Sequence, residues 1–242
     1  MLIGPQNSAF AAQLAQRLAE VRATLAAAAT AAGRSEHSVT LLAVSKGHGV
    51  EALRTAAGLG VRDFGESYLQ EALPKIAALA AALPGAGGLN WHFIGRLQAN
   101  KTRELAQHFQ WVHSVDRLAL AERLSARRPA VLPPLNVCLQ VNVAGEPRKA
   151  GIPPGEAAAL AHATHALPRL KLRGLMCIPP AGLTASEARH HYGQLHQLLL
   201  DLNRQGLALD TLSMGMSGDF PAAIAAGATL VRVGTAIFGE RA

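Results

Sequence analysis

The sequence predicts a single (β/α)8 barrel of the TIM type, preceded by one extra helix. Eight short apolar runs alternate with helical patterns, and no long linker separates them. A length of 242 residues suits one barrel of this kind. Half of the residues are hydrophobic and only 16% are charged, which excludes a disordered chain. An open doubly wound sheet is the alternative architecture, and the number of strands disfavours it.

The elements follow in order from the spacing of apolar residues. A leading segment, residues 1–33, contains a helix at 7–32, because Phe10, Leu14 and Leu18 recur at helical spacing and Gly33 ends the pattern. Apolar runs bounded by turn formers predict strands at 41–45, 61–64, 91–94, 111–113, 135–141, 172–176, 211–214 and 230–233. Helical patterns between them include 50–59, 68–83, 117–126, 154–166, 186–203 and 221–226. Only a short Pro/Gly loop at 84–88 interrupts the alternation, so we expect one domain over residues 1–242.

Charge and cysteine content bound the function classes. The net charge is +7, but the basic residues are scattered, and Arg123, Arg127 and Arg128 form the densest cluster. We therefore expect a solvated surface and no nucleic-acid partner. No apolar stretch is long enough to span a bilayer and no signal-peptide core is present, so we expect a cytoplasmic protein without a membrane partner. Cys138 and Cys177 lie in separate strand-like segments and form neither a disulfide framework nor a metal-spaced pair.

Lys46 ends the first predicted strand and is followed at once by Gly47. In a (β/α)8 barrel the carboxyl ends of the strands carry the active site. A partly desolvated lysine at such a position can lose its proton and attack a carbonyl group to form a Schiff base. The alternative is an ordinary lysine whose stem lies along the apolar strand while its amine reaches water.

The loops after the last two predicted strands combine small residues with hydroxyl groups. Glycines let the backbone approach a ligand closely, hydroxyls can donate hydrogen bonds, and a helix start offers free N–H groups. In barrels these two loops are a frequent phosphate site. The alternative is that the glycines and serines only build tight turns. The residues concerned are Ser213 near the end of strand seven, Gly215, Ser217 and Gly218 after it, and Gly234 and Thr235 after strand eight.

Arg232 lies inside the last hydrophobic strand, where an unpaired guanidinium would be costly. Its partner is either a structural carboxylate or the ring nitrogen of a ligand, which a permanently charged donor would keep unprotonated. A carbonyl at Lys46, a phosphate at the last two loops and a ring nitrogen at Arg232 together describe pyridoxal phosphate (PLP).

Six segments carry a resemblance to a known family: AVSK at 43–46, DFGESY at 63–68, WHFIGRLQANK at 91–101, RGLM at 173–176, LSMGMS at 212–217 and VRVGTAIFG at 231–239. The sequence resembles the PLP homeostasis proteins over nearly the whole chain, and their fold is similar to the barrel domain of alanine racemase. The resemblance implies a Schiff base on Lys46 and a pyridine nitrogen facing Arg232. It implies phosphate contacts from Ser213, Ser217, Gly234 and Thr235, and it completes the predicted cofactor-binding set with Ser67, His92, Met176, Met214 and Gly215.

Two positions depart from the family pattern. Ser67 stands where the family usually has Asn, so its shorter hydroxyl is expected to reach the cofactor through water or not at all. Arg96 replaces a usual Pro. Neither position touches the proposed lysine or phosphate groups. His92 is predicted either to hydrogen-bond near the cofactor or to serve as a structural histidine.

The family resemblance implies a protein that buffers or delivers PLP and so influences amino-acid and keto-acid balance. A racemase needs two opposed acid/base groups, and only Lys46 is evident, so we expect a carrier and not an enzyme. A weak PLP-dependent racemase is the alternative, and a barrel for another phosphorylated carbonyl compound is a third reading. The expected partners are PLP and, transiently, apo forms of PLP-dependent enzymes, and the expected oligomeric state is a monomer.

Overall fold

Eight parallel strands close into a barrel in chain order in the computed structural model, which describes residues 5–82, 88–147 and 149–240. Closure is direct, because β1 pairs with β8 as well as with β2. The predicted (β/α)8 barrel is confirmed, and the open sheet is excluded. The strands are β1 (Thr40–Val44), β2 (Asp63–Glu66), β3 (Asn90–Phe93), β4 (Trp111–Val115), β5 (Leu135–Gln140), β6 (Leu170–Met176), β7 (Thr211–Met216) and β8 (Leu230–Val233).

Helices surround the barrel, and α1 lies against α2, α8 and α9. The helices in the described residues are α1 (Pro5–Ala31), α2 (Val50–Gly58), α3 (Leu69–Ala82), α4 (Thr102–His108), α5 (Leu118–Arg127), α6 (Ala157–His165), α7 (Ala185–Arg204), α8 (Phe220–Ala225) and α9 (Thr235–Phe238). Helix α7 begins with a capping box, in which Thr184 and Glu187 satisfy each other's backbone N–H groups. None of the helices within these ranges is both long and apolar enough to cross a membrane.

The observed elements match the predicted order and differ at their ends. Val61 was predicted to start the second strand, and it is buried, but its N–H donates to the Ala56 carbonyl at the end of α2. Gly60 (φ 86°) makes this turn possible, so Val61 closes a helix and β2 begins at Asp63. Strand β7 continues two residues beyond the predicted end, to Met216. The predicted loop at 84–88 and the predicted helix end at 83 lie largely outside the described residues.

Side chains on the outer face of the barrel form the main apolar core with the helices. Phe64, Trp91, Phe93 and Phe109 are almost fully buried there, and each such side chain contributes about 1.5–3 kcal/mol. The thiols of the two free cysteines are also buried, and burial raises the pKa of each to about 12.

The interior of the barrel contains a connected set of polar side chains. His113 on β4 hydrogen-bonds Ser213 on β7, and because these strands are not neighbours, the contact must cross the inside of the barrel. Asp63, His92 and Arg232 belong to the same interior set. The strands therefore bury apolar groups outward, while the inward face carries hydrogen-bonded polar groups beside apolar residues such as Leu42 and Met176.

The predicted basic surface cluster is only partly a surface. Arg123 and Arg127 are exposed, whereas Arg128 is buried. The Arg128 guanidinium donates to the carbonyls of Ala106, Phe109 and Pro133, each at 2.8 Å. It satisfies carbonyl groups at the end of α4, which would otherwise be buried without partners.

Candidate functional site

A pocket of about 290 Å³ lies at the carboxyl ends of the barrel strands. Its wall comes from residues at or just beyond the ends of β1, β2, β3, β6, β7 and β8. It brings together predicted residues that are far apart in sequence, and its polar wall consists mainly of them. These are Lys46, Ser67, Ser217, Arg232, Gly234 and Thr235.

Lys46 is half-buried and stands in the turn between β1 and α2. The turn depends on Gly47, whose φ of 79° lies in the left-handed region that side chains disfavour. The Gly47 N–H donates to Glu71 Oε1 at 2.5 Å. The residues on both sides of Lys46 are therefore held by hydrogen bonds, which fixes where its side chain starts.

The residues flanking Lys46 are anchored by a buried ion network. Lys75 Nζ donates to the Ser45 carbonyl at 2.8 Å, to Glu66 Oε1 at 2.8 Å and to Glu71 Oε1 at 2.5 Å. The Ser45 hydroxyl donates to Glu66 Oε1 at 2.7 Å. Because Lys75 and Glu66 are almost wholly buried, the network ties α3 rigidly to the ends of β1 and β2.

The two carboxylates of this network respond differently to their surroundings. Burial raises the pKa of Glu66 despite hydrogen bonds from Lys75 and Ser45. Burial also acts to raise the pKa of Glu71, but hydrogen bonds from Lys75 and Gly47 outweigh it and lower that pKa. Glu66 therefore needs Lys75 to remain charged in the fold.

Two loops meet on the other side of the pocket. The Gly234 N–H donates to Ser217 Oγ at 3.3 Å, which joins the loop after β7 to the start of α9. A Cβ at Gly234 would lie 3.1 Å from the Val44 carbonyl oxygen, so a larger residue would disturb the seam between β8 and β1. Thr235 follows and adds a second hydroxyl to the pocket wall. Hydroxyl and amide donors are thus concentrated here.

Arg232 finds partners other than a carboxylate. Its Nη1 donates to the Ser213 carbonyl at 2.5 Å and to Ser213 Oγ at 2.8 Å, and its Nη2 donates to the Cys177 carbonyl at 2.8 Å. The predicted alternative of a structural Asp or Glu partner is absent among the described contacts. Two of the five guanidinium N–H groups have no partner within the described chain, and Arg232 lines the pocket. Burial lowers the pKa of Arg232, but a guanidinium stays protonated in proteins.

Other predicted residues lie away from the pocket wall. Ser213 is fully buried, and its hydroxyl bonds His113 and Arg232. His92 is buried deeper in the barrel, between Asp63 and His113. The remaining three are Met176, buried on β6, Met214, packed in the outer core, and Gly215, whose φ of 91° serves the turn towards α8.

The wall also contains Gly218 from the predicted phosphate loop, and four residues that were not predicted: Val44, Ile94, Ile178 and Met216. All four are apolar and look like ordinary strand or core residues in the sequence. Their one signal is position, because each stands at or just after the end of a barrel strand. Among the described residues, no cluster of His, Cys, Asp or Glu could hold a metal ion.

Comparisons with known proteins agree with this geometry. Residues 15–242 match the model of the alanine racemase N-terminal domain family. The "Pyridoxal phosphate homeostasis protein" of Pseudomonas aeruginosa is 59% identical over 230 residues, which cover 94% of this chain and 96% of that protein. The protein of the same name from Escherichia coli is 49% identical over 228 residues, with 94% and 97% covered.

Solved structures give the same result. PipY of Synechococcus elongatus PCC7942, determined with PLP bound, is 42% identical, has a TM-score of 0.82, and matches over 94% of this chain and 100% of its own. Its PLP-free structure has a TM-score of 0.83. Sequence, barrel and pocket thus lead to one assignment, and the chain belongs to the pyridoxal phosphate homeostasis proteins, within the alanine racemase N-terminal domain family.

Proposed function

We propose that this protein binds PLP in the pocket at the carboxyl ends of the strands and holds it as a Schiff base on Lys46. The observation that carries the proposal is the convergence of Lys46, the Ser217–Gly234 contact and Arg232 in one pocket. An amine, a cluster of hydroxyl and amide donors and a permanent cation match the aldehyde, phosphate and ring nitrogen of PLP. The PLP-bound PipY structure supports the same ligand.

Each group has a defined task in this proposal. Lys46 would supply the amine that condenses with the PLP aldehyde, with loss of water. Ser217 and Thr235 donate their hydroxyls to the phosphate, and the glycines at 218 and 234 let the backbone approach it. Arg232 directs its remaining donors at the ring nitrogen, which stays unprotonated because it accepts from a cation that cannot give up its proton.

Ser213 and Ser67 take lesser roles. We assign Ser213 to holding Arg232, because its hydroxyl is already hydrogen-bonded inside the barrel. Ser67 contributes a hydroxyl to the wall and contacts the cofactor directly or through water. Met176, Met214 and Gly215 support the cofactor site from behind its wall.

We further propose a carrier that buffers or delivers PLP in the cytoplasm and so influences amino-acid and keto-acid balance. Lys46 and Arg232 are the titratable groups in the described pocket wall, and Arg232 cannot act as a base. Tyr192 is unsuited to proton transfer, because it is buried and donates to Asp219 at 2.7 Å, and burial raises its pKa. Racemisation needs a second acid/base group on the opposite face of the cofactor. The proposal includes a monomer that docks transiently on apo-enzymes.

Visible absorbance of the purified protein with added PLP tests the cofactor site. We expect a yellow wild type, a pyridoxyl group on Lys46 after borohydride reduction and peptide mass mapping, and no yellow adduct in Lys46→Ala. Lys171→Ala is the matched control, because Lys171 is exposed on β6 and lies outside the pocket wall, so this variant should stay yellow. A wild type that gains no absorbance band with PLP would contradict the proposal, as would a label on another lysine.

Exchange of the α-hydrogen of amino acids in deuterated water tests the carrier assignment. A carrier should leave alanine and other small amino acids unexchanged beyond the rate given by free PLP. Exchange that depends on Lys46 and exceeds that rate would favour the racemase alternative.

A further inference from the structure

A continuous chain of hydrogen bonds crosses the barrel from Asp63 to Arg232. Asp63 Oδ1 lies 3.0 Å from His92 Nε2, and His92 Nδ1 lies 2.9 Å from His113 Nε2. His113 Nδ1 lies 2.8 Å from Ser213 Oγ, which accepts from Arg232 at 2.8 Å. The four strands β2, β3, β4 and β7 thus connect to β8 through side chains as well as through the sheet.

The chemistry of these groups fixes the direction of every proton. A carboxylate only accepts, so His92 must donate from Nε2 and accept at Nδ1 when it is neutral. His113 then donates from Nε2 and accepts at Nδ1, and the Ser213 hydroxyl donates to it. The Ser213 oxygen is left with its lone pairs turned to Arg232. Every hydrogen bond therefore points from Arg232 towards Asp63.

Burial favours the neutral histidines that this direction requires. His92 and His113 are essentially inaccessible, and burial lowers the pKa of both. Asp63 raises the pKa of His92 in part, whereas His92 and Arg232 lower that of His113 further. Trp111 stacks on His92 with ring centroids 5.3 Å apart.

The end of the chain at Asp63 is also fixed. Its Oδ1 accepts a second hydrogen bond, from Asn90 Nδ2 at 3.0 Å. The Asp63 side chain is 22% exposed and lines a second pocket at the opposite, amino-terminal end of the barrel strands. The chain thus joins the two ends of the barrel.

We propose that Asp63, His92 and His113 are positioning residues, which act through Ser213 to hold the Arg232 side chain with its remaining donors facing the pocket. The carboxylate of Asp63 is the end that sets the direction. Without it, His92 and His113 can adopt the opposite tautomers, and the Ser213 oxygen then accepts from His113 and Arg232 together. The consequence for the cofactor rests on the proposed function, but the effect on Arg232 does not.

Nitrogen NMR without PLP tests the hydrogen-bonded chain from Asp63 to Arg232. The proteins compared are wild type, Asp63→Ala and Asp63→Asn. We expect wild type to show His92 and His113 protonated at Nε2. Asp63→Asn should keep this state, because a carboxamide oxygen still accepts from His92. Asp63→Ala should also show His92 and His113 protonated at Nδ1, and its Arg232 guanidinium signals should be shifted. Asp210→Ala is the control, because Asp210 lines the same lower pocket but lies outside the chain.

The same variants are then titrated with PLP. Competition of His113 with Arg232 for the Ser213 oxygen should weaken the hold on Arg232, and with it PLP binding, roughly two- to tenfold and move the absorbance maximum in Asp63→Ala, with Asp63→Asn near wild type. Unchanged histidine tautomers or unchanged Arg232 signals in a folded Asp63→Ala would overturn the proposal. Altered tautomers together with wild-type PLP affinity and spectrum would also overturn it. If wild type binds no PLP, the proposed function fails, and the PLP-free spectra still decide the positioning of Arg232.

Discussion

Among single residues, Arg232 shows how a cation is buried without a counterion beside it. A buried guanidinium is costly unless its donors are satisfied. Two carbonyls and one hydroxyl accept from it, and the nearest negative charge on its hydrogen-bonded chain is Asp63, three side chains away. The positive charge is therefore left available for a ligand in the pocket.

The buried histidines predict how stability depends on pH. Because burial lowers the pKa of His92 and His113 in the folded state, the unfolded chain binds protons below about pH 6.5 that the folded chain does not. The contribution of the two histidines to the free energy of unfolding is fully present above that pH, and it is lost as the pH falls towards their pKa values in the folded state. We expect the free energy of unfolding, measured by urea denaturation, to fall between pH 7 and 5.

His113→Gln should lower this pH dependence. His165→Gln is the control, because His165 is exposed on α6, and it should leave the pH dependence as in wild type. Stability that rises as the pH falls through this range would contradict a neutral, buried pair.

The sequence allowed the role of some site residues to be predicted better than that of others. Lys46 was identifiable because it directly follows a buried strand, where barrels place chemistry, and because the two last loops and Arg232 complete a pattern that fits PLP. Ser213 and Ser217 could not be distinguished, since both are serines beside small residues. The difference arises from β7, which continues to Met216, so that Ser213 lies inside the strand and Ser217 follows it. The predicted strand end at 214 placed Ser213 next to the loop, whereas the observed end places it three residues before the strand ends.

Among the elements, α3 contributes most to the placement of Lys46. Its Lys75 joins Ser45, Glu66 and Glu71 in a buried network at the strand ends. Glu66 Oε2 has no hydrogen-bond partner within the described residues, so Glu66 depends on Lys75 for compensation of its charge. The sequence did not reveal this role, because Lys75 lies in an Ala-rich helical pattern and resembles a surface lysine.

Removal of Lys75 tests this network. Lys75→Met should cost about 3–5 kcal/mol, because it leaves a buried carboxylate uncompensated. The double variant Glu66→Gln/Lys75→Met should recover part of that loss, because the buried charge is gone. Chemical denaturation of both variants measures the two values. A loss below about 1 kcal/mol in Lys75→Met would show that the network is not a significant support.

The strands and helices themselves were predictable from periodicity, because parallel strands buried on both sides are short apolar runs. Their ends were not, as Val61 shows. Whether a buried valine pairs in the sheet or closes the preceding helix depends on Gly60, and its sequence neighbourhood fits both outcomes.

For the molecule as a whole, a single closed barrel predicts a single unfolding transition that PLP shifts as a unit. A ligand at 100 times its Kd stabilises the folded state by about 2.7 kcal/mol, and in a protein of this size that raises Tm by roughly 5–11 °C. Differential scanning calorimetry with and without PLP measures the shift. Lys46→Ala should show a smaller increase, because it loses the covalent bond. Two separate transitions would contradict the one-domain prediction.

The pairing of β1 with β8 has a consequence for the order of events during synthesis. Lys46 follows the first strand of the barrel, and Gly234 and Thr235 follow the last, so the pocket joins the two halves of the chain across one seam. A growing polypeptide on the ribosome exposes the lysine long before the phosphate loops exist. Specific capture of the vitamin B6 cofactor then begins only after the last strand of the barrel has been made, which makes cofactor uptake a report that the barrel has closed.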